Sequence, residues 1–356
     1  MHTRFFLLLM YLVAPLCCAN QLIPADNKHL QYSGRIDFST PTIAGISWPA
    51  SQVVAVISGN EIGVTLDDQY GKNYFNVFID NNWDAPYVIA CEQGLQTYQL
   101  SQYLPAGKHT ITLTKRTEGE EGRTIFHGFN IADDGKIFDP PPKPQRKIEF
   151  YGDSITSGMG NEAAYNADDA LLSEKNSFLS YAAITARELG ADYRIISQSG
   201  IGVMVSWFDF IMPQFYDQLD AVGNNESHWD FALWQPDVVV INLFQNDSWL
   251  VEKRLKPVPN DAHRIAAYQD FIAKIRKVYP KATVIATLGN MDATKQGSAW
   301  PGYIRKAVAN HKKISGDTHI TTFFFPYEEY PKHPRVIHHQ QNAERLTQFI
   351  RKTMKW

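Results

Sequence analysis

The chain has 356 residues, 44% of them hydrophobic and 20% charged, with a formal net charge of -3 and a pI near 6.4. It is long enough for two folded domains, and its charge gives no reason to expect nucleic acid or an anionic membrane as a partner. It has no Cys/His cluster with zinc spacing and no glycine-rich phosphate loop, so the expected chemistry needs neither metal nor cofactor.

Residues 1–19 read as a secretory signal peptide. Arg4 precedes the apolar run Phe5 to Leu9, a further apolar stretch reaches Leu16, and Ala19 offers a small residue at the cleavage point. The segment is too short to span a membrane. The expected location is therefore secreted or periplasmic; lipidation at Cys17 or Cys18 is disfavoured because Leu16 is a poor small-residue neighbour. Removing the leader leaves Cys91 as the one cysteine, with no internal disulfide to make. Its context, Tyr87-Val-Ile-Ala-Cys91, suits a small core residue.

Residues 20–138 carry short β-branched runs separated by Gly, Asn or Asp turns: Val53 to Ile57, Ile62 to Leu66, Asn76 to Asp80 and His109 to Thr114. That pattern predicts an antiparallel sandwich. Asp139-Pro-Pro-Pro-Lys-Pro-Gln-Arg146 is a stiff linker. From residue 147 onward, strands predicted at 147–151, 193–197, 237–243, 283–288 and 319–325 alternate with helical stretches, one of which puts Ile265, Tyr268, Ile272, Ile275 and Tyr279 on one face. Apolar strands alternating with amphipathic helices imply a parallel sheet covered on both sides.

The candidate site falls out of that order. An apolar strand runs directly into Gly152-Asp153-Ser154, which presents Ser154 at a strand end. Gly200 follows the second strand, Asn246 the third and His333 the fifth, so four residues remote in sequence converge on the carboxyl rim of the sheet. A serine hydroxyl is a weak nucleophile alone and requires a base and donors for the developing oxyanion. Ser154 is the expected nucleophile and His333 its base, with the Ser154 and Gly200 N–H groups and the Asn246 side-chain amide as oxyanion donors. Alternatives stand beside these: Ser154 as a helix cap, Gly202 as the donor in place of Gly200, Asn246 as an Asx turn, and His338 or His339 as the base.

Gly152-Asp-Ser-Ile, Ser199-Gly-Ile-Gly, Gln245-Asn-Asp and His333-Pro resemble, in order, the four blocks of the SGNH (GDSL-type) hydrolases. Tyr151 to Glu162 is similar to the opening of the second family of carbohydrate esterases, and Leu104 to Glu118 resembles the end of that family's N-terminal jelly roll. The resemblance implies a flavodoxin-like hydrolase domain behind a jelly-roll sandwich, acting on acetyl esters of acetylated polysaccharides or oligosaccharides. It also implies a departure. Most members of the superfamily carry an aspartate three residues before the histidine, where this chain has Tyr330. The expectation is accordingly a Ser–His dyad whose imidazole is oriented by a backbone carbonyl, with a carboxylate from another loop as the open alternative; Glu328 and Glu329 could substitute but read first as a solvated loop pair, and Asp153 and Asp247 as braces for backbone N–H groups.

Trp207 and Trp249 flank the blocks and are candidate sugar platforms, although rim packing explains either equally well. Phe244 and Gln245 replace smaller residues of the third block and add bulk to the pocket. A general esterase or lipase, and an inactive glycan-binding protein, are the competing functions.

Overall fold

The computed structural model describes residues 20–356 except 102–103, 106, 223–225 and 331. The predicted leader, with Cys17 and Cys18, lies outside the described residues.

Two antiparallel sheets form the N-terminal sandwich. One is built around Thr124–Ala132, paired with Ile62–Asp68 on one side and Asn20–Pro24 and Ala44–Ile46 on the other; the second is centred on Gln52–Ser58 and Lys108–Lys115. Gln52–Ser58 alternates strictly, with Val53, Ala55 and Ile57 fully buried. The side-chain period of two turns these residues onto the facing sheet, where they meet Phe126, Phe129 and Ile131. Cys91 belongs to the same core, and burial pushes its thiol up to about 12, out of reach of nucleophilic use.

The C-terminal domain is a parallel sheet of β1 (Arg146–Gly152), β2 (Ala191–Ser197), β3 (Val238–Asn242), β4 (Thr283–Leu288) and β5 (Ile320–Phe324). Its spatial order is β2-β1-β3-β4-β5. This is the flavodoxin-like order, and its switch point lies between β1 and β3, where ligands bind. β1 begins at Arg146, within the span read as linker. The predicted helical face is present on α5 (Asp261–Val278): Tyr268, Ile272 and Ile275 are buried against the sheet, with Phe271 beside them and Tyr279 at the helix end. Among the described residues no helix is long and apolar enough to cross a membrane.

The apolar stretch from Val203 to Tyr216 joins the two domains. Phe215 packs on Trp48 of the sandwich with ring centroids 4.8 Å apart, and the Trp48 indole donates to the Leu219 carbonyl at 2.8 Å. Beside them Arg35 crosses the junction. It donates to the carbonyls of Tyr216 at 2.7 Å and Gln218 at 2.8 Å and to Glu149 on β1 at 3.1 Å. Both members of the Arg35–Glu149 pair are fully buried. Removing one partner of such a pair strands the other charge, so Arg35→Ala should destabilise the protein by about 3–5 kcal/mol in chemical denaturation. A double variant with both charges replaced by methionine should recover most of that loss. Near-wild-type stability of Arg35→Ala would show that the junction does not depend on the pair.

Candidate active site

Block one folds as predicted from its residues. Asp153 caps the single helical turn α1 (Ser154–Ser157) by accepting the Ile155 N–H at 3.1 Å. The cap is thus Asp153, which leaves the Ser154 hydroxyl available. That hydroxyl lies 2.9 Å from Nε2 of His333.

The other ring nitrogen corrects the dyad expectation. Nδ1 of His333 is 2.7 Å from Oδ2 of Asp169, and the same oxygen accepts the His333 backbone N–H at 3.1 Å. A carboxylate only accepts, so Nδ1 carries the hydrogen and Nε2 of the neutral ring presents its lone pair to Ser154. The imidazole is therefore oriented by a side-chain carboxylate from the loop after α1, and no backbone carbonyl takes that place. Tyr330 turns elsewhere, donating its hydroxyl to the Asn290 carbonyl at 2.8 Å. Glu328 pairs with Arg345 at 2.9 Å. His338 accepts the Arg335 N–H at 2.9 Å, and His339 is buried and accepts the Tyr181 N–H at 3.1 Å. Neither competes for Ser154.

Asp169 is held as firmly as it holds the histidine. Its second oxygen binds Arg335, whose guanidinium also donates to the carbonyls of Gly160 at 2.7 Å, Ala164 at 3.2 Å and Ala167 at 2.8 Å. One buried arginine thereby ties the whole 160–169 loop to the start of α7 (Val336–Met354). Gly160 sits at φ +57, and a Cβ there would lie 2.7 Å from the Asp169 carboxyl; only glycine lets the carboxylate this close. Burial opposes ionisation of Asp169, but the hydrogen bonds from His333 and Arg335 hold its carboxyl below the usual range.

The candidate oxyanion donors come from three segments, Ser154 after β1, Gly200 after β2 and Asn246 after β3. Among the described residues no acceptor is recorded for the N–H groups of Ser154 and Gly200. The Gly202 N–H is spent on the Ser206 hydroxyl at 3.1 Å, which favours Gly200 over Gly202. Asn246 opens α4 (Gln245–Arg254) and is fixed from both ends. Its carbonyl oxygen accepts the Trp207 indole N–H at 3.1 Å, so the amide nitrogen must face the other way, donating to the Ile201 carbonyl at 2.9 Å with Asp153 at 3.5 Å. Its second hydrogen is bound only loosely at that longer distance. Asp247 accepts the N–H groups of Val203, Met204 and Val205 at 2.6–3.3 Å. Burial raises the Asp247 carboxyl to about 6 and that of Asp153 to about 7.

A cavity of about 380 Å³ opens beside His333, lined by Asp169, Trp249, Asp292, Tyr327 and Tyr330 among others. Asp292 accepts the Trp249 indole N–H at 2.9 Å, which fixes the ring at the cavity wall. Trp207 is 52% exposed, with the Arg254 guanidinium 5.1 Å from its ring centroid. Its indole has a role the sequence did not suggest, as the orienter of Asn246. A larger cavity of about 480 Å³ lies at the domain junction behind Gln198, lined by Tyr70, Phe208 and Phe210, and contains none of the reacting groups. The residues missed in the sequence are Asp169 and Arg335. Arg335 stands two residues after His333 and Asp169 ends the acidic pair Asp168-Asp169, the only signals available.

Comparison with known proteins agrees with the two-part fold. Residues 32–141 match the description "Carbohydrate esterase 2 N-terminal" and residues 150–344 match the "GDSL-like Lipase/Acylhydrolase family". The chain is 33% identical over 338 residues to the cellulase/esterase CelE of Acetivibrio thermocellus, covering 93% of this chain but only 40% of that protein. It is 25% identical over 350 residues to an acetylxylan esterase / glucomannan deacetylase of Cellvibrio japonicus, covering 96% of this chain and 93% of the relative. The solved structure of a family two carbohydrate esterase from Clostridium thermocellum in complex with cellohexaose superposes with a TM-score of 0.83 at 32% identity, covering 92% of this chain and 99% of that one.

Proposed function

This chain belongs to the family two carbohydrate esterases, and from that membership we propose that it is a secreted serine esterase removing O-acetyl groups from polysaccharides through an acyl-enzyme. The observation that carries the reading is the continuous line from Ser154 through His333 to Asp169, beside the cavity that His333 and Asp169 help to line.

In this reading Ser154 Oγ attacks the ester carbonyl while Nε2 of His333 takes the hydroxyl proton. The carbonyl oxygen becomes an oxyanion, received by the N–H groups of Ser154 and Gly200 and the Asn246 amide. Collapse breaks the bond to the sugar oxygen, to which His333 returns the proton, leaving Ser154 acetylated. Water then attacks the acetyl carbonyl, gives its proton to His333 and releases acetate as the proton returns to Ser154. Asp169 remains ionised throughout and stabilises the imidazolium that forms in each half.

Trp207 and Trp249 offer ring faces for the C–H surface of sugars. The name of the Cellvibrio relative and the cellohexaose in the Clostridium structure support a glycan as the acyl carrier. Export rests on the leader read at residues 1–19.

The test is acetate release from acetylated xylan, mannan, xyloglucan and pectin, alongside 4-nitrophenyl esters of increasing chain length. Release from at least one glycan with poor turnover of long acyl chains is the expected result. Preference for octanoate over acetate would assign the protein to lipid or aryl esters, and binding of glycans without any turnover would make it a lectin-like protein.

A further inference from the structure

The run Lys115-Arg116-Thr117-Glu118 ends the sandwich motif and lies outside the chemistry above, yet all four residues are buried. Buried charges are costly unless paired, so their partners identify what they do. Lys115 donates to the carbonyls of Glu118 at 2.8 Å and Thr117 at 3.1 Å, inside the sandwich domain. Glu118 reaches across the junction instead. One carboxylate oxygen is 3.3 Å from the Lys175 ammonium, and the other accepts the Ser199 backbone N–H at 2.6 Å. Lys175 also binds Glu121, and its carbonyl accepts Nε of Arg116 at 3.2 Å. Burial opposes the Glu118 charge, but Lys175 and Ser199 outweigh it and hold the carboxyl below its usual range.

Ser199 immediately precedes Gly200. We propose that Glu118 is a positioning residue for ester hydrolysis, by which the sandwich domain fixes the Ser199–Gly200 segment and aims the Gly200 N–H at the oxyanion; this rests on the oxyanion reading above. Gly200 sits at φ +85, and glycine imposes little torsional restraint of its own, so its amide direction must be set by its neighbours. Four ties do this. The Gly200 carbonyl accepts the Trp207 N–H at 3.0 Å, the Gln198 carbonyl accepts the Ile201 N–H at 3.2 Å, the Ile201 carbonyl accepts the Asn246 amide at 2.9 Å, and the Ser199 N–H is held by Glu118. Three of the four lie within the α/β domain; the tie on the Ser199 N–H comes from the sandwich. The sandwich is on this account a structural part of the active site, in addition to anything it does with glycan.

Two conservative variants separate reach from charge, assayed on the full chain with 4-nitrophenyl acetate. Glu118→Asp keeps the charge beside Lys175 but withdraws the acceptor from Ser199; kcat should fall about 10- to 100-fold with KM changed less than about two-fold, since ångström-scale misplacement costs that much. Glu118→Gln keeps an acceptor for Ser199 but removes the charge beside Lys175, which is left with Glu121 alone; its melting temperature should fall more than that of Glu118→Asp while kcat stays within about three-fold of wild type. The reverse order, with kcat tracking loss of charge and indifferent to reach, would assign Glu118 to domain docking and overturn the proposal, as would an unchanged kcat in Glu118→Asp. Asn246→Ala in the same assay sets the scale, because loss of one oxyanion donor costs about 10²–10³ in kcat. An unchanged kcat in Asn246→Ala would overturn the oxyanion reading itself, a failure distinct from that of Glu118.

Discussion

Ser154→Ala should eliminate acetate release, lowering kcat by at least about 10⁴-fold, the scale seen when a hydroxyl nucleophile is deleted from a serine hydrolase. The substitution removes one oxygen from a turn whose cap is Asp153 and whose backbone bonds run from Asp153 and Ser154 carbonyls to the N–H groups of residues 156–159. None of those bonds uses the Ser154 hydroxyl, so the melting temperature should be unchanged. Activity above a few per cent of wild type in a normally folded protein would refute the serine mechanism. The variant should also fail to accumulate covalent acyl-enzyme when mixed with a slowly deacylating ester, which wild type would show as a burst.

The second large effect is expected at Asp169. Asp169→Asn places an amide where the carboxylate bridges His333 and Arg335. If the amide oxygen stays on Nδ1, the NH2 group faces the Arg335 guanidinium, donor against donor. If it turns round, the NH2 forces the hydrogen of His333 onto Nε2, the tautomer that cannot accept from Ser154. Either way the imidazolium loses its counter-charge, and kcat should fall about 10³–10⁴-fold with KM little altered. Glu329→Gln should cost far less, because both ring nitrogens of His333 are already engaged, by Asp169 and Ser154. Asp247→Asn should act through the 203–205 loop, and so through stability, because its carboxylate faces three backbone N–H groups there. Activity of Asp169→Asn within about five-fold of wild type would restore the Ser–His dyad.

Much of this site was legible in the chain. The strand running into Gly152-Asp153-Ser154 placed the serine at a strand's carboxyl end by period and turn chemistry alone, and the order of Gly200, Asn246 and His333 after the second, third and fifth strands placed them on the same rim. The preference for Asp153 and Asp247 as backbone braces followed from the habit of aspartate to accept local N–H groups, and the structure gives both that role. What could be read was local: which residue ends a strand, which face of α5 is apolar, which domain is antiparallel.

The orienting carboxylate was not local. Asp169 and His333 are 164 positions apart, and the loop carrying Asp169 has neither periodicity nor fixed spacing to the histidine. The segment just before the histidine, where Tyr330 stands, therefore does not carry the acid. Arg335 binds the loop carbonyls one by one, Gly160 admits the carboxyl by lacking a Cβ, and these contacts exist only once β1, α1 and α7 have packed. The same holds for Trp207, which the sequence offered as a sugar platform and the fold also bonds to Asn246, and for Glu118, which lies in a different domain from the loop it holds. The sequence by itself determined the two fold types, an antiparallel sandwich and a parallel sheet, and singled out Ser154 and His333 as the candidate nucleophile and base, because hydrophobic period and turn residues act over a few positions. Tertiary structure decided which acid faces the base and which groups aim the donors, because a buried charge is placed by every element that packs around it.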